Sequence, residues 1–267
     1  SDHDGLSEIV LNVISTKDVG LRTQALRSLA KINVEEFIHV FTQQGNRWST
    51  LELQVGLQLI GEIQEDISVP VLFHFVEKLR NDSLDPKLQL DVISAANKLG
   101  NSELNSMIST FRRNLGSPQV IDYHKEMLFG GNAQRGREVF ANHVVGQCVR
   151  CHDAGGADNQ VGPELKGIGE SQDRQYLLES LLNPSAQLAE GYALTMLVLK
   201  NGETLAGRVV EETPKNLRFV NVTGEASQYS KSEVSNRTVV KASSMPPMLG
   251  ILTPFELRDL VEYLATW

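Results

Sequence analysis

Both cysteines of the chain fall in one pentapeptide, Cys148-Val-Arg-Cys151-His152, and a histidine directly follows the second. This cluster constrains the fold more than any other feature, because each chemistry open to a Cys-x-x-Cys pair demands its own surroundings. A structural zinc site needs further soft ligands at finger-like spacing, and the chain offers neither another cysteine nor a suitably spaced histidine pair. A thioredoxin-like redox pair sits between a strand and a helix of a βαβ unit. Here Gly136-Arg-Glu-Val-Phe140 precedes the cysteines, and a glycine-containing loop, Asp153 to Val161, follows them. Covalent haem attachment needs two thiols three positions apart, one for each vinyl group, and an imidazole next in line that reaches the iron. Cys148 and Cys151 are therefore read as thioether cysteines and His152 as the proximal ligand of one covalent haem c.

Past the loop comes Gly162-Pro-Glu-Leu-Lys-Gly-Ile-Gly169. A proximal histidine needs an acceptor on its other ring nitrogen to fix its tautomer and raise its basicity. Proline has a fixed φ and a free carbonyl, so Pro163 is read as that acceptor rather than as a plain loop start. The sixth position on iron has five methionine candidates. Met107 lies in the N-terminal helical region, Met127 precedes the haem motif, and Met196 sits in an apolar strand where a core role fits better. Met245 and Met248 flank Pro246-Pro247, and prolines stiffen such a loop. The chain between His152 and the Ser244-Met-Pro-Pro247 loop, with a β insert set aside, suffices for one helix and two loops around a haem edge, which favours Met245 over Met248. The alternatives are water, His124, His143 or an open position, with both methionines only lining the pocket.

Bulk properties limit the rest. With 267 residues, 41% hydrophobic and 22% charged, the chain is globular and long enough for two modest domains. No apolar run approaches the length of a membrane helix. Residue 1 is Ser rather than Met, so a signal or larger N-terminal region is expected to have been trimmed. The formal charge of −8 is spread evenly: 11 Lys+Arg face 15 Asp+Glu in 1–118, and 14 face 18 in 119–267. Nucleic acid is an unsuitable partner for such a surface, because phosphate neutralisation needs concentrated positive charge.

A breaker stretch, Gly116-Ser-Pro-Gln119, divides the chain into 1–118 and 119–267. Before it, apolar residues recur at three and four: Leu21, Ala25, Leu29, Ile32; Leu51, Val55, Leu59, Ile63; Leu88, Val92, Ala95, Ala96, Leu99. Asn33, Ser68 and Asp85 read as N-caps, Pro70 and Pro86 as first-turn prolines, and Gly100 as a C-cap. Segments starting at 24, 54 and 91 resemble one another, at spacings that suit helix-pair repeats of HEAT or armadillo kind; an irregular helical bundle is the alternative. His3, His39 and His74 lie singly and read as surface or core residues.

After residue 118 the pattern is mixed. Val120 to Phe129, Ala133 to Ala141 and Arg174 to Asn183 read as helices. From Tyr192 the period drops to two: a strand over 192–200, an Asn201-Gly202 hairpin turn, a return strand over 204–211, and strands over 217–222 and 237–241. Turns are expected at Pro214-Lys-Asn216 and Thr223-Gly224. This is a small antiparallel sheet or barrel-like insert at about 192–240. Thr253-Pro254 then caps an amphipathic helix, Phe255 to Thr266.

From about residue 132 to the end, the chain resembles the cytochrome c-type haem-binding domain known as the Pirellula/Verrucomicrobium type, often the C-terminal part of large membrane-bound dehydrogenases. The resemblance rests on Gly136 with Phe140, Cys148-Val-Arg-Cys151-His152, Gly162-Pro163-Glu-Leu165, Tyr176-Leu-Leu-Glu-Ser-Leu-Leu-Asn-Pro184, Gly191-Tyr192, Asn201-Gly202 with Gly207, Ser244-Met245-Pro246 and Leu257-Arg-Asp-Leu-Val-Glu-Tyr-Leu264. It implies thioethers at 148 and 151, His152 and Met245 on iron, a Pro163 carbonyl against the proximal histidine, and helical repeats upstream. Asn201 stands where the hairpin often has Asp, a difference without chemical consequence. Nothing in the chain resembles the sugar-dehydrogenase propeller frequently fused upstream.

The expected fold is thus mainly α: a HEAT-like repeat domain, then a class I-like cytochrome c domain with a small antiparallel β insert. The expected role is one-electron transfer with a redox partner protein, a dehydrogenase or another cytochrome, outside the bacterial cytoplasm, where the family's haem attachment occurs. A haem enzyme or sensor with an open sixth site, handling peroxide or nitric oxide, is the alternative from another class. A third is a scaffold whose repeats are the working surface, with haem as an accessory sensor.

Overall fold

The structure, a computed structural model, describes residues 2–43, 47–63, 65–114, 120–152 and 161–267. It divides into two compact units, Ser1–Gly130 and Gly131–Trp267. The Gly116-Ser-Pro-Gln119 breaker lies outside the described residues. The segment after it belongs to the first unit, where Val120–Met127 forms a 3₁₀ helix kinked at His124 (φ −131°) rather than the regular helix expected.

The first unit is helical: α1 (Asp2–Ile14), α2 (Val19–Ile32), α3 (Val34–Gln43), α4 (Thr50–Ile60), α5 (Glu65–Arg80), a 3₁₀ turn at Pro86–Leu88, α6 (Gln89–Leu99) and α7 (Ser102–Asn114). Local chemistry sets the ends. Asp18 accepts from the Leu21 N–H at 2.9 Å, Asn33 from the Glu36 N–H at 3.0 Å, and Ser49 and Glu52 form a reciprocal capping box. Gly100 ends α6 in the left-handed conformation, φ +76°. Ser68 is not the cap expected: α5 starts earlier, so Ser68 is buried inside it and Pro70 lies within the helix.

Helices α2, α4 and α6 lie side by side in chain order. In a second row Phe41 of α3 meets Phe75 of α5 with centroids 6.3 Å apart, and α5 packs against α7. One continuous apolar core runs through both rows, with Leu26, Leu29, Phe37, Leu57, Ile60, Leu72, Val76 and Leu104 fully enclosed. Polar bonds tie the first row at regular intervals. Arg22 grips the Glu52 carboxylate with two nitrogens, and Gln58 Nε2 donates to Asp91 at 3.0 Å, at separations of 30 and 33 residues. Glu52 and Asp91 are both 0% exposed, so each needs its partner to offset desolvation.

In the second unit, α8 (Ala133–Asn142) crosses α12 (Pro254–Ala265). Gly136 permits the crossing, because a Cβ there would collide with the Asp259 carbonyl and with Tyr263. Phe140 packs on Tyr263 and Trp267 at 5.8 and 5.1 Å between centroids. Asp259 accepts from Nε and Nη2 of Arg135, at 2.6 and 3.0 Å, and from the Asn132 N–H at 2.7 Å. Arg174 at the start of α11 (Arg174–Leu182) makes a second two-pronged bridge, to Glu262 of α12. Two short helices, α9 (Cys148–His152) and α10 (Ile168–Ser171), complete the helical part.

The insert is a five-stranded antiparallel sheet: β1 (Leu194–Leu199), β2 (Thr204–Glu212), β3 (Asn216–Asn221), β4 (Ala226–Ser230) and β5 (Val234–Val240), in the order β4-β3-β2-β1-β5. Gly202 and Gly224 take positive φ in the β1–β2 and β3–β4 turns, as their sequences predict. Strand β4, polar Ala-Ser-Gln-Tyr-Ser, was not legible from alternation. It forms because the turn after Asn221 folds it onto β3. The sheet has its own small core of Leu197, Leu217 and Phe219.

Candidate functional site

Helix α9 is one turn and a half long, and it carries Cys148, Cys151 and His152 on the wall of a cleft of about 440 Å³. Nothing within so short a helix would hold it in place. Its anchor is the next described segment, where the Gly162 N–H donates to the Cys151 carbonyl at 3.1 Å. Gly162 also lies flat against the imidazole: a Cβ there would fall 2.7 Å from His152 Cε1. The close approach brings the Pro163 carbonyl to 2.9 Å from His152 Nδ1, which donates to it as a neutral ring. Burial pushes the His152 pKa down while the Pro163 bond works the other way. The neutral ring keeps the Nε2 lone pair for a ligand.

Burial raises both thiols above their ordinary range. That is the reverse of the depressed pKa that marks a reactive redox pair. Among the described residues, no group of three or more His, Cys, Asp or Glu side chains converges as a metal cluster, and no helix is long and apolar enough to cross a membrane.

The remaining walls come from distant parts of the unit. Helix α11 contributes Tyr176, Leu177, Ser180 and Leu181, one face at helical spacing, and α12 contributes Leu260 and Leu264. The turn before β1 contributes Leu188, Ala189 and Tyr192. The loop after the sheet contributes Ser243, Ser244, Met245 and Met248. The two methionines are held differently. Met248 is 3% exposed, and its N–H donates to the Leu181 carbonyl at 2.8 Å. Met245 is half-buried; its N–H donates to Ser243 Oγ, and the Ser243 N–H donates to Ser185 Oγ, both at 3.1 Å.

Cys148, Cys151, His152, Pro163 and Met245 therefore line one cleft, and Met248 joins them. Met196 lies in β1 away from the cleft, and Met107 and Met127 belong to the first unit. Neither histidine weighed for the sixth position lines the cleft. His124 lies in the first unit, and His143 accepts from the Gly146 N–H through Nδ1 and faces Glu256 with Nε2 at 3.8 Å. The Asp153–Gln160 stretch of the expected glycine loop lies outside the described residues. Sequence reading did not single out Tyr176, Ser180, Leu188 or Tyr192 as wall residues. The first two share a signal that could have found them: positions 176, 177, 180 and 181 fall on one face of α11, with a breaker at Pro184.

The donor set suits a porphyrin iron: two thiols for thioethers, an imidazole oriented by a carbonyl, a space beside that imidazole kept free of any Cβ, and thioether sulfurs across the cleft. No curated protein matches the chain. Residues 133–196 match the family described as Cytochrome c, a span from α8 through the cysteine motif to β1, and this part of the chain is a cytochrome c-type haem-binding domain with a haem-based role in electron transfer.

Proposed function

We propose that the second unit holds a single haem c through Cys148 and Cys151, with His152 and Met245 as axial ligands, and that it carries electrons between redox proteins. The observation that supports this best is the bond from His152 to the Pro163 carbonyl in a cleft that also contains both cysteines and Met245. When bound, the haem supplies a one-electron ferric/ferrous couple. The chain's own work is to bind, orient and exclude water. Pro163 fixes the imidazole tautomer, Gly162 leaves room beside the ring, and Leu177, Leu181, Leu260 and Leu264 make the cleft apolar. Ser185 and Ser243 pin the loop carrying Met245, so its sulfur needs little ordering to serve as a ligand. Met248, packed deeper and tied to α11, serves as wall.

The finer family reading rests mainly on features beyond residue 196. A β insert, the Ser244-Met245-Pro246 loop and the Leu257–Leu264 stretch of the last helix are what the resemblance to the Pirellula/Verrucomicrobium type rests on. In the first unit, polar ties between successive helices at 30 and 33 residues support a HEAT-like repeat. On this reading the protein works outside the cytoplasm, and its donor or acceptor is a dehydrogenase or another cytochrome.

The test is the visible spectrum of the reduced protein before and after carbon monoxide. A sharp low-spin spectrum that barely responds is expected, and Met245→Ala should make it respond. A prompt shift in the unaltered protein would move the assignment to an open-site haem enzyme or sensor.

A further inference from the structure

The chain enters the cleft wall through a strained turn. Gln147, between the wall residues Gly146 and Cys148, has a left-handed backbone at φ +43°, and only Asp82 shares a positive φ among the described non-glycine residues. A β-carbon disfavours that conformation, and such strain lasts only where the surroundings hold it from several sides. The Gln147 N–H donates to the His143 carbonyl at 3.0 Å, the Gln147 carbonyl accepts from the Arg150 N–H at 3.0 Å, and Gln147 Nε2 donates to the Val144 carbonyl at 3.0 Å. The fourth tie is the His143 ring, whose Nδ1 accepts from the Gly146 N–H at 2.9 Å. A backbone N–H can only donate, so Nδ1 carries a lone pair and the ring is neutral with its proton on Nε2. Nε2 faces Glu256 Oε1 at 3.8 Å, in the first turn of α12. The turn is closely fitted at Gly146, where a Cβ would stand 3.1 Å from His143 Nδ1 and 3.7 Å from Leu252.

We propose that His143 is a proton-sensitive positioning residue of the haem site: as a neutral imidazole it closes the 143–147 turn and fixes the wall at Gly146, Gln147 and Cys148, and a second proton on Nδ1 opens that turn. This rests on the reading above that Cys148 and Cys151 hold a haem. A protonated ring has two donors and no acceptor, so Nδ1–H and the Gly146 N–H would meet donor to donor. The imidazolium then keeps Glu256 alone, and the strain at Gln147 loses one of the ties that hold it. Glu256 is the charged group that faces the ring. Other charged groups of α12 are engaged elsewhere: Asp259 with Arg135, Glu262 with Arg174, and the Arg258 guanidinium over the Phe255 ring. On α9, Arg150 donates to Gln147 Oε1 at 3.3 Å and His152 Nδ1 to the Pro163 carbonyl, while Arg137 and Glu138 lie earlier on α8. His143 therefore serves the site from behind its wall, not as a ligand.

The test follows the reduced, haem-loaded full chain by NMR at the Gly146 amide and by circular dichroism of the main haem band, from about pH 8 down to about pH 5, where histidines change charge. In the wild type, the Gly146 amide should lose its hydrogen-bonded shift as pH falls. Its protection against exchange should drop about fivefold, the worth of one ordinary hydrogen bond, and the haem band should change with the same midpoint. His143→Asn offers an acceptor oxygen in place of Nδ1 and does not titrate, so both signals should hold their high-pH values throughout. His143→Ala should show the low-pH signals at every pH. A wild-type Gly146 amide that ignores pH, or a His143→Asn chain that titrates like the wild type, overturns the inference and leaves the haem reading standing. A titrating Gly146 with a haem band that does not follow overturns the positioning role. If His143→Ala does not fold, the wild type and His143→Asn decide by the same criteria. A wild type without a covalent haem spectrum overturns both readings.

Discussion

The two units solve the same packing problem in opposite ways. In the first, apolar faces meet one another: Leu26, Phe37, Leu57, Ile60, Leu72 and Leu104 close a continuous core within the protein itself. In the second, several buried apolar residues, Phe140, Leu177, Leu181, Met248, Leu260 and Leu264, line a cleft instead. Close packing is the normal condition of a protein interior, so the second unit is a core with its centre left for a bound group. The first unit should fold by its own sequence, whereas the second should depend on what fills it.

Removing the attachment points breaks this comparison most directly. Cys148→Ala with Cys151→Ala should abolish covalent haem and markedly lower the melting of the second unit, while the first unit's transition stays where it was. Calorimetry on the full chain, with the pyridine haemochrome spectrum as a check, reads both. If the second unit melts unchanged, the cleft is not a core in waiting.

Glu52→Gln strikes the other unit. It leaves Arg22 without its carboxylate and weakens the α4 capping box, and should cost about 3 kcal/mol of the first unit's stability with no change in the visible spectrum. Gly136→Ala should cost about 1 to 3 kcal/mol through overpacking at the α8–α12 crossing, and it should be felt only in the second unit.

The smallest effect is expected at the end of the central strand of the sheet. Glu212 is bonded by Lys231 and Arg237, which hold its pKa at about 2 against an ordinary carboxylate value. A carboxylate with a depressed folded-state pKa contributes stability above its unfolded pKa and loses it as pH falls through about 2. Glu212→Gln should therefore slightly flatten the acid limb of the stability profile, and salt should mask the difference because the site is exposed.

Much of the site was legible because it is local. A haem attachment motif needs five consecutive residues, and the bond from His152 to Pro163 spans eleven positions, within reach of one loop. Helices α2, α4, α6, α8, α11 and α12 announced themselves through apolar spacing, caps and breakers. Ser68 misled because a serine and a nearby proline imitate a helix start, while burial against the core extended α5 beyond them. Strand β4 was hidden because an edge strand with few apolar residues carries no alternation, and only its pairing with β3 makes it a strand.

The amino-acid sequence by itself determined the Cys-x-x-Cys-His motif, the order of helices and the position of the hairpins, since each depends on neighbours a few residues apart. Tertiary structure decided the rest. It chose which methionines of the second unit face the cleft, placed Met248 deep and Met245 on a pinned loop, kept His143 off the cleft wall, and brought Arg208 to Tyr192. Those outcomes depend on contacts between residues far apart in the chain, where side-chain direction is set by packing rather than by local preference.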